Sequence, residues 1–340
     1  SAMNTPTYDE LTTHFTRLHH YAHLGSIVSW GRAANMPPKG NDARASAMAE
    51  LAALMHRLRT EQTLGDRIAR AEQEPLSDHQ RANLREIRRE WLQATALPES
   101  LVTRQELATS RCEHAWRTQR PANDWKGFLD NWKPVVAIAR EEAQLLSQQT
   151  GLSKYDAMMD RFEPGMRSEQ VSRVFGAVRQ WLPDLIDRVV ERQGQDQPIE
   201  ARGPFPLAAQ QALCKRVVTM LGFDFSAGRL DTSTHPFSGG VPEDVRMTTR
   251  YREDEFLPAL MGTVHETGHG RYEQNRPREW LGQPVSEARS MAIHESQSLS
   301  FEMQLGSHPG FAKVMAPMLR DAFGDQPAFE LHNLWQLMTR

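Results

Sequence analysis

At 340 residues the chain is long enough for one large core or two ordinary ones, and its net charge of −3 is made from Lys and Arg spread along its whole length. That balance gives no electrostatic reason to expect nucleic acid or an anionic membrane as partner, which leaves a peptide or other small substrate as the expectation. Only Cys112 and Cys214 are present, far apart and outside any CxxC spacing, so a disulfide framework and a thiolate metal site are both disfavoured. A reducing, cytoplasmic setting fits. The first residues lack the basic start and apolar core of a signal peptide, Ser1-Ala2 ahead of Met3 reads as the scar of a cleaved tag, and no apolar run approaches the length of a bilayer span.

Through the first two hundred residues the apolar positions follow a helical period, punctuated at Pro37-Pro38, Pro75, Pro98, Pro121 and Pro164-Gly165. Ser77 followed by Gln80 predicts a capping box, with Leu84, Ile87, Trp91 and Ala94 on one face of the helix it opens. Another helix is expected from Ser168, carrying Val171, Phe175, Val178 and Leu182 inward. The Gln-, Gly- and Pro-rich stretch from Gln193 to Pro206 breaks the pattern. We read residues 1–200 as an N-terminal helical region and 201–340 as the region carrying the site, in one continuous structural domain. A helix led in by Pro206 should stop at Gly222. Between Phe223 and Tyr251 turn residues and β-branched residues predict two short antiparallel strands, within Asp231 to Gly240 and Val245 to Tyr251. The next helix should hold Glu253, Asp254 and Glu255 in its first turn, with Pro258 still inside its opening.

That helix contains His265-Glu266-Thr267-Gly268-His269. Two histidines four residues apart project from the same helix face and can share one tetrahedral ion. Glu266, turned about 100° from His265, stays clear of the ligand positions yet can reach a water as general base. Leu257, Leu260, Met261, Val264 and Tyr272 form an apolar stripe beside them. Gly262, Gly268 and Gly270 weaken the helix, which implies close approach of metal, substrate or another backbone.

HExxH also arises by chance, so a third ligand is the next requirement. Glu295 supplies a candidate: within Glu287 to Gln304 the apolar Ala288, Met291, Ala292 and Leu299 define an expected inner face, and Glu295 falls on it. A carboxylate there needs a partner, either the ion or an arginine. His294 beside it reads equally as a hydrogen-bond donor behind the ligands, a substrate contact or a partly exposed polar residue. His19 and His23 repeat the four-residue spacing near His14 and His20, but no carboxylate occupies the base position, and a solvated helix face is expected. Glu266 and His269 could instead be half of a two-metal carboxylate site in a helix bundle. That site needs a second Glu-x-x-His, and the sequence has none.

Together with Tyr272-Glu273-Gln274-Asn275, His294-Glu295-Ser296-Gln297, His235-Pro236-Phe237 and Asp244-Val245-Arg246-Met247-Thr248, these residues resemble the carboxypeptidase Taq family of zinc metallocarboxypeptidases. The similarity extends through Met36-Pro37-Pro38 and Tyr155 to Gly165, covering nearly the whole chain. It implies a mainly α, multi-helical fold with a groove and a small antiparallel sheet beside the metal helix. It also implies removal of single residues from peptides with a free C-terminus, and homodimers. Zn²⁺, one per chain, would be held by His265, His269 and Glu295, with Co²⁺ as an alternative ion and Glu266 as general base. For the substrate carboxylate Arg246 is the first candidate and Arg250 the second, since a bidentate guanidinium suits a carboxylate; pairing with Asp244 or Glu243 is the competing reading. His235 and His294 complete the candidate substrate contacts.

The sequence departs from the family pattern at Gly31, at Gly270-Arg271, and in lacking two motifs that follow the glutamate ligand in the family; it ends within a helical pattern from Phe329 to Arg340. A shortened chain is therefore expected. Two other outcomes stand beside the peptidase: a catalytically silent zinc-binding or dimerisation module, and a two-metal helical oxidoreductase.

Overall fold

The computed structural model describes residues 4–34, 36–233 and 235–340; the reading of Ser1-Ala2 lies outside them. The fold is mainly helical with one small sheet, as the sequence predicts. Two compact units divide it, one formed by the residues up to Pro164 with Arg276–Arg289 and the other by Gly165–Asn275 with Ser290–Arg340.

The first unit stacks α1 (Pro6–Ala34), α2 (Asn41–Arg59), α3 (Leu64–Ala71), α4 (Asp78–Thr95), α5 (Glu99–Gln119), α6 (Trp125–Thr150) and α7 (Lys154–Met159). The prolines noted in the sequence fall at the breaks between these helices, where a missing N–H costs nothing. Ser77 caps α4 as expected: its Oγ accepts the Gln80 N–H at 3.2 Å, and Gln80 Oε1 accepts the Ser77 N–H at 2.9 Å. Leu84 and Ile87 of α4 then pack with Leu11, Phe15 and Leu18 of α1 and with Leu64 and Ile68 of α3. Leu101, Ile138, Leu146 and Ala157 build a second core from α5, α6 and α7. The returning segment Arg276–Arg289 is pinned by buried Asn83, which donates to Gln283 Oε1 at 3.0 Å and accepts the Val285 N–H at 3.2 Å. A satisfied polar group of this kind fixes one register where apolar packing alone would allow several.

The second unit runs α8 (Ser168–Arg179), α9 (Leu182–Gly194), α10 (Leu207–Met220), β1 (Gly228–Thr232), β2 (Ser238–Val241), β3 (Asp244–Thr249) and α11 (Leu257–Gln274). It ends with α12 (Met291–Leu299), prolonged by a π-helical turn over Ser300–Leu305, then α13 (Pro309–Phe323) and α14 (Leu331–Met338). Its core joins Leu213 and Val217 of α10, Leu260 and Val264 of α11, Met315 and Leu319 of α13, Leu334 of α14, and Phe205 and Phe329. α10 stops where Pro206 and Gly222 predict: Gly222 takes φ 95°, and the Phe223 N–H closes back on the Val218 carbonyl at 3.2 Å.

Five local expectations are corrected. The sheet has three strands, not two, in the order β1-β3-β2: β2 and β3 form the antiparallel hairpin, while β1 lies parallel to β3 with Gly228 opposite Val245. The stretch read as one strand is interrupted between Thr232 and Ser238, where Ser233 and Thr248 hydroxyls hold the loop by bonding to the His235 carbonyl. α8 ends at Arg179, because Pro183 opens a new helix, and Phe175 is 66% exposed. A 3.6-residue period locates an apolar face without saying what covers it. Glu253, Asp254 and Glu255 precede α11 instead of entering its first turn, and Arg252 pairs with Asp254 at 2.8 Å. Finally, α12 begins only at Met291, capped by Ser290 Oγ, and its buried positions are His294 and Ser298. Met291 and Leu299 are exposed, so the apolar inner face expected there is not the buried one.

Candidate metal centre

α11 and α12 lie against each other at a contact that only glycine permits. A Cβ on Gly268 would stand 2.5 Å from the Gln297 carbonyl oxygen and 2.5 Å from Ser298 Cα. Gly270 meets the sheet side in the same way, with Met247 Sδ and Phe223 Cε2 each 2.9 Å from a built Cβ. Gly262 has nothing within 4 Å. Two of the three glycines thus answer to neighbours within the fold, and the close approach at Gly268 sets α12 beside the histidine face of α11.

The consequence is a tight donor set. His265 Nε2 lies 3.2 Å from Glu295 Oε1, and His269 Nε2 lies 3.2 Å from Glu295 Oε2. One ligand atom from each of the three residues falls within 4.8 Å of the others. Two donors about 2.0–2.2 Å from a tetrahedral zinc stand about 3.3 Å apart, so the observed spacing fits an ion shared between them. The donor chemistry, two imidazoles and one carboxylate, is also that of a catalytic zinc site with a position left for water. Glu295 is about half exposed, which corrects the expectation of a buried carboxylate; it is held by the buried Ser298 hydroxyl, which donates to Glu295 Oε1 at 3.0 Å.

The remaining nitrogens of both histidines are engaged. His265 Nδ1 is 2.7 Å from Glu302 Oε2, on the π-helical turn. His269 Nδ1 is 2.6 Å from His294 Nδ1, and His294 Nε2 is 2.8 Å from Glu273 Oε1. His294 is buried and its ring lies over Tyr272, centroids 4.4 Å apart. Burial and the neighbouring His294 push the His269 pKa down, which favours the neutral ring a metal requires.

Glu266 is buried, its carboxyl bonded to the Ser238 side chain of β2, while its Oε2 has no hydrogen-bond partner among the described residues. Burial raises its pKa and the nearby His265 opposes that rise. A buried acceptor kept unsatisfied is what a general base awaiting a water would show. Three further candidates lie on or beside the sheet. Arg246 on β3 makes a bidentate pair with Asp244, Nε to Oδ1 at 3.0 Å and Nη2 to Oδ2 at 2.9 Å. Arg250 is exposed just beyond β3, and His235 is exposed in the loop before β2. His19 and His23 join no metal-ligating group among the described residues.

Sequence reasoning did not single out Glu302, Glu273, Ser238 or Ser298. Spacing alone carried a signal for two of them: Glu273 continues the row of His265 and His269 by four residues, and Glu302 follows Glu295 by seven, two turns along the same face. Ser238 comes from a strand distant in sequence and leaves no such trace.

Fold and donor set together define a helical metallopeptidase scaffold built around an HExxH helix. Residues 10–340 match the family described as carboxypeptidase Taq (M32) metallopeptidase, and the chain belongs to that family. It is 36% identical over 327 residues to thermostable carboxypeptidase 1 of Thermus thermophilus, covering 92% of this chain and 64% of that protein. To carboxypeptidase 1 of Bacillus subtilis it is 28% identical, covering 91% of this chain and 62% of the relative. Among solved structures, metallocarboxypeptidase 1 of Trypanosoma cruzi superposes with a TM-score of 0.91 at 43% identity, covering 99% of this chain and 68% of that one. The chain thus spans under two thirds of the length of these curated relatives. No helix among the described residues is long and apolar enough to cross a membrane.

Proposed function

We propose that the chain is a metallocarboxypeptidase that binds one Zn²⁺ through His265, His269 and Glu295 and hydrolyses the last bond of peptides with a free C-terminus. The observation that carries the reading is the pair of 3.2 Å separations between Glu295 and the two histidines, with the unsatisfied Glu266 Oε2 beside them. When bound, the ion would supply Lewis acidity and a water whose pKa falls to about 7. Glu266 takes a proton from the attacking water and passes it to the leaving amine. Burial suits it to both duties, because a raised pKa makes the carboxylate more willing to hold the proton between the two steps.

The peptide is read as an added strand along β2, the edge of the sheet that packs beside α11. Arg246 is the first candidate for the terminal carboxylate, already oriented by Asp244, and Arg250 is the second; His235 would flank the same strand end. The resemblance adds homodimers, and the two free cysteines suit a cytoplasmic setting.

Metal content and peptide trimming test the reading together. The protein should hold one zinc per chain and release the terminal residue from a free-ended peptide while sparing its C-terminal amide. Glu266→Gln should keep the zinc and lose roughly 10²–10⁴-fold in turnover. Zinc without any hydrolysis would reduce the chain to a binding module, and internal cleavage of the amidated peptide would make it an endopeptidase.

A further inference from the structure

Each candidate ligand histidine has two ring nitrogens, and only the one without a proton can bind a metal. The hydrogen bonds behind the site decide which one that is. Glu273, as a carboxylate, only accepts, so His294 must place its proton on Nε2, 2.8 Å away. When its ring carries that one proton, His294 offers Nδ1 as an acceptor. Facing it at 2.6 Å, His269 Nδ1 must carry the proton, because two bare nitrogens would repel and two N–H groups would clash. His269 Nε2 is thereby left bare on the side where Glu295 lies. Glu302 does the same for His265 in a single step, accepting the Nδ1 proton at 2.7 Å and leaving Nε2 bare toward Glu295.

We infer that Glu302, and Glu273 acting through His294, are positioning residues that hold both ligand histidines in the metal-binding tautomer and rotamer. The inference rests on the proposed zinc site and adds to it three residues outside the ligand set. It also gives His294 a definite role. Its ring is buried, bonded on both nitrogens and covered by Tyr272, so its polar atoms are committed to the protein. The two relays differ in construction. His265 is anchored directly by a residue of the π-helical turn, a distortion that recurs at functional sites. His269 is anchored through a second imidazole, with Glu273 one turn further along its own helix. The ion would thus have a carboxylate behind each imidazole as well as one in front.

Zinc alone is the probe, with its dissociation constant read by competition with a chelator and the visible absorption of the Co²⁺-loaded protein as a second readout. Glu302→Ala and His294→Leu should each weaken zinc binding by about 10- to 100-fold and alter the Co²⁺ band. Glu302→Gln, whose carbonyl still accepts, should recover most of the loss. So should His294→Gln, which keeps one acceptor and one donor. If the truncating variants fail to fold, Glu302→Asp decides: it keeps the charge but draws the carboxylate back by one methylene, and affinity should still fall. Unchanged zinc affinity and an unchanged Co²⁺ band in a variant set whose parent binds one zinc would overturn the inference. A parent that binds no zinc would instead overturn the proposed site itself.

Discussion

Two helices of this chain carry histidines four residues apart, α1 with His19 and His23 and α11 with His265 and His269, and only the second pair is gathered into a donor set. On α1 the rings are half-buried and meet different partners, and His23 Nε2 is buried with no hydrogen-bond partner among the described residues. His19 Nδ1 lies 3.8 Å from Glu287, and His14 Nε2 meets the Leu58 carbonyl at 2.6 Å. On α11 both Nε2 atoms converge on one carboxylate, and both Nδ1 atoms have partners behind them. Spacing puts two rings on one face. A site needs a neighbouring helix close enough to close it and hydrogen bonds that choose the nitrogen offered.

The largest effect should come from removing the rings. His265→Ala and His269→Ala are each expected to take bound zinc from one per chain to nearly none, since two ligands are too few to hold it in competition with water. His19→Ala and His23→Ala should leave the stoichiometry at one. Elemental analysis after dialysis reads all four, and loss of zinc in the α1 variants would erase the contrast between the helices.

A smaller effect should follow from separating α11 from α12 without touching a ligand. Gly268→Ala drives a methyl group against the backbone of Gln297 and Ser298, which is far less able to give way than a side chain. The expected cost is about 1–3 kcal/mol of stability, with weakened zinc binding as Glu295 moves away. Gly262 is the internal control, because a Cβ there meets nothing within 4 Å. Gly262→Ala should raise the melting temperature of the metal-free protein, consistent with a helix-propensity gain of about 0.8–1.0 kcal/mol. If Gly262→Ala instead weakens peptide binding while stabilising the fold, the open space beside it serves the substrate.

Much of this was legible in the sequence, and the reasons are local. The α4 capping box and the Gly222 stop are decided by residues three or four apart, so Ser77, Gln80 and Gly222 announce them. The HExxH spacing on α11 was legible for the same reason; Glu295 was reached from an apolar face that α12 does not bury, and from the His294-Glu295-Ser296-Gln297 motif. What depended on partners distant in sequence was not. The exposed Phe175 face has a clear period but no packing partner that a period could reveal. The parallel pairing of β1 with β3 joins segments between which β2 intervenes in the chain. α12 buries His294 and Ser298 and not its apolar positions, because the contact at Gly268 and the relay to Glu273 override hydrophobic patterning there.

The smallest expected effect is the one that separates motif from site most sharply. His20 stands between His19 and His23 in the position Glu266 holds on α11, and it is exposed. His20→Glu therefore writes His-Glu-x-x-His onto α1 at a surface position, where the substitution should change stability by no more than about 0.5 kcal/mol. A sequence reader would then see two motifs. The protein should still hold one zinc, because no carboxylate among the described residues is grouped with both α1 histidines. His19 has Glu287 at 3.8 Å on one side, and nothing on α1 corresponds to the shared oxygens of Glu295 or the relays behind His265 and His269. Titration of the variant with zinc, followed by chelator competition, would show a second tight site if the motif sufficed. A second equivalent held as firmly as the first would mean that spacing, and not the closure by α12, makes the metal centre.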